Sequence, residues 1–325
     1  MPGPPSGYRI LVPGGDGFVG RYLVQALSAA LPDGEIIVGT LAGVPPHSGG
    51  ARRIALDITD AERVRMVLAA ERPTHVFHLA AIAAVQTARL DVRQTWAVNF
   101  GGAFNVALAV AEIIPDCRLL YCGSAQVYGG NFRAGHAVDE STAFDPIDAY
   151  GASKAAADLM IGQMAKQGLR AIRLRPFNHT GAGQGKGFVV PDFAAQIAAI
   201  ERGEQEPVIK VGNLESRRDL LDVHDVADAY VRAVLHFNEI PPGAAINVAS
   251  GEAISVGQIL SMLLSLSPRS IEVVQDAERV RSSDISVIRG DASLARRLLG
   301  WKPQRAIADT LRAVLEHYRE LGAKP

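Results

Sequence analysis

The chain is poor in cysteine, in unbalanced charge and in long apolar runs. Only Cys117 and Cys122 occur among 325 residues. Their spacing, on what reads as a strand, fits neither a zinc pattern nor a disulfide framework, so both are expected to be buried thiols and no metal site is expected. There are 33 basic and 34 acidic residues, a formal net charge of -1, with no block of one sign. Neither nucleic acid nor an anionic membrane surface is therefore expected as a partner. No run approaches the ~20 apolar residues of a membrane span. The opening Met1-Pro2-Gly3-Pro4-Pro5-Ser6-Gly7 reads as a loose tail and not as a signal peptide, and a cytoplasmic location is expected. Internal repeats and low-complexity segments are absent as well. What is present is apolar: 48% of the residues, enough for a full core in one large α/β domain or two smaller ones.

The chain alternates strand and helix. Residues 8–12 form a short apolar run, then Pro13-Gly14-Gly15-Asp16-Gly17-Phe18-Val19-Gly20 leads into a helical pattern over 21–27. Glycines at Gly14-x-x-Gly17-x-x-Gly20 let the backbone approach a pyrophosphate at a helix N-terminus, where N–H groups and the dipole favour anions. Strands are predicted at 35–39, 53–56, 75–80, 118–122 and 170–175, with helices at 60–71, 92–111 and 150–166 between them. This alternation predicts a doubly wound parallel sheet, a Rossmann fold. After Pro176 the rhythm changes. The dinucleotide-binding domain is set at 1–176, with segments near 218–249 returning to its sheet. A smaller substrate-binding lobe takes 177–325, with helices near 188–202, 256–266, 292–299 and 307–321 and a strand near 208–211.

Three places carry candidate chemistry. Tyr150 and Lys154 are four apart at the head of a predicted helix, so they lie one turn apart on one face. A free tyrosine, with a pKa near ~10, is a poor proton donor or acceptor at neutral pH, and a neighbouring ammonium is expected to lower it. Ser124 follows a predicted strand and so sits at the carboxyl edge of the sheet, either hydrogen-bonding a substrate oxygen or making a turn. Asp57 follows the third strand; it either bonds an adenine amine or caps the next helix. The second strand ends Gly39-Thr40-Leu41 with no carboxylate for ribose hydroxyls and no arginine for a 2′-phosphate. The missing acid tips the balance to NADP(H) over NAD(H).

The glycine turn, Ser124 and Tyr150-x-x-x-Lys154 together resemble the extended short-chain dehydrogenase/reductase family. The likeness sharpens at Arg175-Pro176-Phe177-Asn178-His179-Thr180-Gly181-Ala182-Gly183-Gln184, at Phe188-Val189-Val190-Pro191-Asp192-Phe193-Ala194-Ala195-Gln196-Ile197 and at Val211-Gly212-Asn213-Leu214-Glu215-Ser216-Arg217-Arg218-Asp219. These stretches look like the GDP-mannose 4,6-dehydratase branch and its sister reductases, which form GDP-D-rhamnose. The resemblance implies catalysis by Ser124, Tyr150 and Lys154. It implies that Gly14, Gly17, Phe18 and Val19 hold the cofactor pyrophosphate, Asp57 and Ile58 the adenine, and Leu79, Ala80 and Ala81 the adenosine side, with Tyr150 and Lys154 also at the cofactor. On the substrate side it implies Ser124 and Gln126 near the sugar, and Asn178, Val189, Val190, Arg218 and Arg281, with Asp284 beside it, around a GDP moiety. It also implies a homodimer paired through the Ala-rich helices at 92–111 and 150–166.

Two departures from the family pattern stand out. After the fourth strand, where a polar pair is common, the chain has Ala81-Ile82-Ala83-Ala84, which leaves the sugar in question. At the position where the dehydratases hold an acid, two after the strand-end Ser or Thr, the chain has Gln126. A dehydratase must cycle a proton at C5 and expel water, and a neutral amide cannot do so. The resemblance thus implies a reductase of a GDP-4-keto-6-deoxy sugar, the alternative being a GDP-mannose 4,6-dehydratase or another nucleotide-sugar epimerase or dehydratase of the same fold.

Overall fold

The computed structural model describes residues 7–41, 51–276 and 285–322. Its main layer is a seven-stranded sheet. The order is β3 (Arg52–Ala55), β2 (Glu35–Thr40), β1 (Arg9–Pro13), β4 (His75–His78), β5 (Arg118–Cys122), β6 (Ala171–Pro176) and β10 (Ala245–Val248). Every pairing is parallel. The predicted Rossmann architecture is what the chain adopts. The strand order reverses between β1 and β4, and a crevice opens at the carboxyl ends of such a pair.

Parallel strands covered on both faces are apolar on both faces, and β1 illustrates it. Ile10 and Val12 point toward α1 (Phe18–Ala30) and α8 (Val223–Leu235), meeting Leu23, Leu27, Val226 and Tyr230. Leu11 points the other way with Ile37 and Val76. There it joins α2 (Ala61–Glu71), α5 (Ala103–Ile113) and α6 (Ala149–Lys166) through Val64, Val106, Ala157 and Ile161. The period of two in a strand sends alternate residues to the two layers.

The predicted single helix at 92–111 is in fact α4 (Val92–Trp96), a wider π turn over Ala97–Gly102, and α5. Asn99 lies in that turn. Its Oδ1 accepts from Ile82 N at 2.8 Å, and its Nδ2 donates to Ile82 O at 3.2 Å and Ser153 Oγ at 3.1 Å. Against expectation, Val92–Ile113 is long and apolar enough to cross a membrane. Here its Ala103, Val106 and Val110 pack into the sheet's core, as in any buried helix. Cys117 is buried as expected, whereas Cys122 is only half-buried, its Sγ 3.2 Å from the Tyr230 hydroxyl.

The C-terminal half builds a second layer. β7 (Asn178–Thr180) pairs in parallel with β9 (Arg217–Asp222). β9 is flanked further by β11 (Ala253–Ser255), antiparallel, and β13 (Val287–Ile288), parallel. β8 (Val208–Val211) and β12 (Glu272–Gln275) form a ribbon. Helices α7 (Val189–Glu201), α9 (Val256–Ser265) and α11 (Ile307–Gly322) close a separate core around Phe193, Ile197, Leu260 and Leu311.

The expectation that 218–223 rejoins the large sheet fails. The free side of β6 is taken by β10, and Arg-Arg-Asp at the start of β9 does not suit a strand buried on both faces. Buried Asp219 instead accepts from the N–H groups of Ser250, Gly251 and Gly290, tying the small sheet to its loops. The next helix, α8, does pack on the large sheet against α1, and the last segment of the stretch, β10, pairs with β6.

Candidate active site

The glycine turn follows β1 at the point of strand-order reversal. Gly14 adopts φ +82, and a Cβ there would stand 2.7 Å from the backbone of Ala80. A Cβ on Gly20 would stand 2.5 Å from Gly14 O, so the turn closes this tightly only with glycine at both. Gly14 N donates to Gly39 O at 2.9 Å, and Leu79 N and Ala80 N both donate to Pro13 O. The structure thus brings Gly14, Gly17, Leu79 and Ala80 together, with Ala81 following. Gly17 caps α1 without a side-chain hydrogen bond, and the first turn, opening with Phe18 and Val19, holds no acid. Such an end presents N–H donors to an anion. This cradle, whose tight closure needs glycine at positions 14 and 20, fits a dinucleotide pyrophosphate.

Asp57 is exposed and accepts from Thr59 N at 2.9 Å and Thr59 Oγ1 at 2.7 Å. It does not cap α2; Asp60 does, accepting from Arg63 N. Ile58 is buried, and its carbonyl takes a hydrogen bond from Asn105 Nδ2 at 2.9 Å.

Ser124, Tyr150 and Lys154 converge beyond β5. Ser124 accepts from Gln126 N at 3.1 Å, opening the short 3-10 turn Ala125–Val127. Tyr150 is in the first turn of α6, whose N-cap Asp148 accepts from Gly151 N at 2.8 Å. A Cβ at Gly151 would lie 2.8 Å from Gln126 O, so glycine there lets the helix start press against the Ser124 turn. The Ser124 side chain is close enough to Tyr150 to act on its hydroxyl. Lys154, one helical turn on, donates from Nζ to Cys122 O at 2.8 Å.

The expected depression of Tyr150 is not found. Burial pushes its hydroxyl up to about 12, with the neighbouring Ser124 acting the other way. Burial also lowers Lys154, against the opposing influence of Cys122 and Asp158. The ammonium is turned to the Cys122 carbonyl and lies 5.1 Å above the Tyr121 ring. Tyr150 is therefore protonated at neutral pH, which suits a proton donor.

Several contributors to the site escape sequence reasoning. Asp158, one turn beyond Lys154, is fully buried and receives Arg173 Nη1 at 2.6 Å and Arg175 Nη2 at 2.9 Å. Arg175 also reaches the Tyr128 hydroxyl at 2.8 Å, and that hydroxyl donates to Asn247 Oδ1 at 2.7 Å. These contacts fasten α6 to β6 and β10. His78, beneath Lys154, has no hydrogen-bond partner for either ring nitrogen among the described residues. Burial, aided by the Lys154 charge, lowers it to about 3, so it stays neutral.

On the substrate side, Asn178 emerges from the carboxyl end of β6, next to the strand that carries Ser124. Asn178 pairs with Leu220, and Arg218 lies two residues before Leu220, so Asn178 and Arg218 occupy one face of the small sheet. Arg218 Nη1 donates to Ile285 O at 2.9 Å. Val189 is exposed, whereas Val190 is buried in the core of the lobe, so its side chain is not open to a ligand. Arg281 and Asp284 lie outside the described residues. The segment 81–84 bears no polar side chain, and its Ile82 main chain is held by Asn99. The acids Asp139 and Glu140, in the segment between Gln126 and α6, are engaged elsewhere: Glu140 Oε1 accepts from Asn247 N at 2.7 Å, and Asp139 binds Ser141 and Thr142.

A nicotinamide-type cradle beside a serine–tyrosine–lysine cluster agrees with what the chain resembles. Residues 10–249 match the NAD dependent epimerase/dehydratase family. The chain is 32% identical to the GDP-6-deoxy-D-mannose reductase of Pseudomonas aeruginosa, over 95% of this chain and 97% of that one. The structure of the Pseudomonas aeruginosa protein RMD, complexed with NADPH, superposes with a TM-score of 0.84 at 31% identity, covering 97% of this chain and 99% of that one. The Thermus thermophilus UDP-glucose 4-epimerase, complexed with NAD, gives 0.83 at 26% identity, covering 97% and 100%. Fold and sequence agree: the chain belongs to the NAD dependent epimerase/dehydratase family.

Proposed function

We propose that this NAD(P)-dependent nucleotide-sugar enzyme reduces the C4 keto group of GDP-4-keto-6-deoxy-D-mannose, giving a GDP-6-deoxyhexose such as GDP-D-rhamnose. The bound nicotinamide supplies the hydride. Gly14, Gly17, Phe18 and Val19 hold its pyrophosphate, with Leu79, Ala80 and Ala81 on the adenosine side. Ser124 orients the keto oxygen, and Tyr150 gives that oxygen a proton. Lys154 holds its charge beneath the site through Cys122 O. Asn178 and Arg218 face the diphosphate, which forked arginine donors suit. NADP(H) is the preferred cofactor in this reading, supported by the 31% identical protein solved with NADPH.

The observation that carries the reading is a protonated Tyr150 beside Ser124, with an amide at Gln126 where dehydration needs a carboxyl group. Glu140 and Asp139 do not supply that carboxyl, since each is held by other partners. A second reading, 4-epimerisation, is favoured by the fold shared with the epimerase, because the same three side chains serve it. The two separate on cofactor stoichiometry: a reductase consumes one NAD(P)H per sugar, and an epimerase regenerates it.

The enzyme acts as a homodimer in this reading. Leu159 is 61%, Val92 48% and Phe104 41% exposed on the helices implied to pair. Sedimentation at micromolar concentration is expected to give a dimer; a monomer alone would contradict it.

A further inference from the structure

One ion pair bears on which nicotinamide nucleotide the chain takes. Asp16 lies in the glycine turn after β1, and Arg53 lies on β3. In the sheet these strands are separated by β2. Arg53 Nη2 is nevertheless 3.0 Å from Asp16 Oδ1, with side chains 22% and 10% exposed. The pair therefore spans β2. It does so near the carboxyl end, since Arg53 is in register with Val38 and the turn bonds Gly39 O. The carboxyl end of β2 is where a dinucleotide's adenosine ribose rests in such a sheet. An acid there takes ribose hydroxyls, and an arginine there takes a 2′-phosphate. In this chain neither group comes from β2 itself: the acid comes from the glycine turn and the arginine from the next strand.

We propose that the Asp16–Arg53 pair selects at the adenosine 2′ position, Asp16 accepting from the ribose hydroxyls of NAD(H) and Arg53 donating to the 2′-phosphate of NADP(H). This rests on the dinucleotide reading of the glycine turn. A guanidinium carries five donors in a planar fork, enough to serve a carboxylate on one edge and a phosphate on another. The 2′-phosphate meets Asp16 as a like charge, and the ribose hydroxyls meet it as an acceptor. Each nucleotide thus draws on a different member of the pair, and the two substitutions act with opposite sign.

The test is direct binding to the full-length chain. NADPH and NADH are titrated by cofactor fluorescence, and 2′,5′-ADP and 5′-AMP by calorimetry, the fragments being free of nicotinamide chemistry. Arg53→Gln is expected to weaken NADPH and 2′,5′-ADP at least about tenfold while leaving NADH and 5′-AMP within about threefold, since a charge-assisted hydrogen bond is worth that much. Asp16→Asn is expected to shift the NADPH-to-NADH affinity ratio about tenfold the other way. Equal changes for both nucleotides, or an unchanged ratio in both variants, would overturn the proposal while leaving cofactor binding intact. A wild-type chain that binds none of the four ligands would overturn it together with the dinucleotide reading.

Discussion

Replacing Asp158 by Asn tests how the catalytic helix is held. The Asp158 carboxylate is fully buried and meets two guanidinium groups, Arg173 at 2.6 Å and Arg175 at 2.9 Å and 3.0 Å. The Arg175 side chain is 4% exposed, so its charge has no route to water once the carboxylate is gone. Asparagine keeps the size and one acceptor but removes the charge. Breaking a buried pair by removing one partner costs about 3–5 kcal/mol. At roughly 2–4 °C per kcal/mol for chains of 150–250 residues, the melting temperature should fall by about 6–20 °C. Because α6 carries Tyr150 and Lys154, turnover should fall with it. Circular dichroism melts, with urea midpoints as a check, measure the first effect, and NADPH consumption the second. A variant melting within about 1 °C of wild type would show that the two guanidinium groups are neutralised elsewhere, and the positioning argument would fail.

Tyr150→Phe is expected to lower turnover by about 10²- to 10⁴-fold while cofactor affinity stays near wild type, as the ring remains and only the proton is lost. Since the active form is the protonated one and the hydroxyl is pushed up to about 12, the rate of reduction should show no alkaline decline below about pH 10; a fall centred near pH 8 would contradict it. Buried His75 and His78 are both lowered to about 3. Their neutral forms stabilise the fold fully above the unfolded value of about 6.5, and that stability drains away as pH falls toward 3. Each contributes a slope of about 1.4 kcal/mol per pH unit. In urea titrations from pH 7 to 4, His78→Gln should remove roughly half of that slope, and an unchanged slope would count against the assignment.

The parts of this molecule visible in its sequence are those fixed within a few residues. The spacing of Gly14, Gly17 and Gly20 sets one turn, and Tyr150 and Lys154 share a helix face by count alone. Alternating strands and helices gave the parallel sheet for the same reason. What sequence could not give depends on partners far apart in the chain. Asp16 meets Arg53 only because β3 lies across β2 from the glycine turn. Asp158 meets Arg173 and Arg175 only once α6 is laid on β6. The burial that raises the Tyr150 hydroxyl against expectation, and the direction of Lys154 toward Cys122 O, likewise follow from how α6 packs on β5. Asp57 lost its proposed capping role to Asp60 by a shift of three residues, which the pattern could not resolve. The stretch 218–223 reads as a return to the large sheet, but the charged start of β9 belongs to a separate small sheet.

The most direct test of the central claim pairs two incubations of the wild-type chain, each followed by mass analysis. With GDP-4-keto-6-deoxy-D-mannose and NADPH, the account predicts one NADPH consumed per GDP-6-deoxyhexose formed, and with GDP-mannose and no added reductant it predicts no 4-keto-6-deoxy product. Enzymatic accumulation of that keto sugar from GDP-mannose, without consumption of NADPH in the first incubation, would contradict the reductase and make the chain a dehydratase.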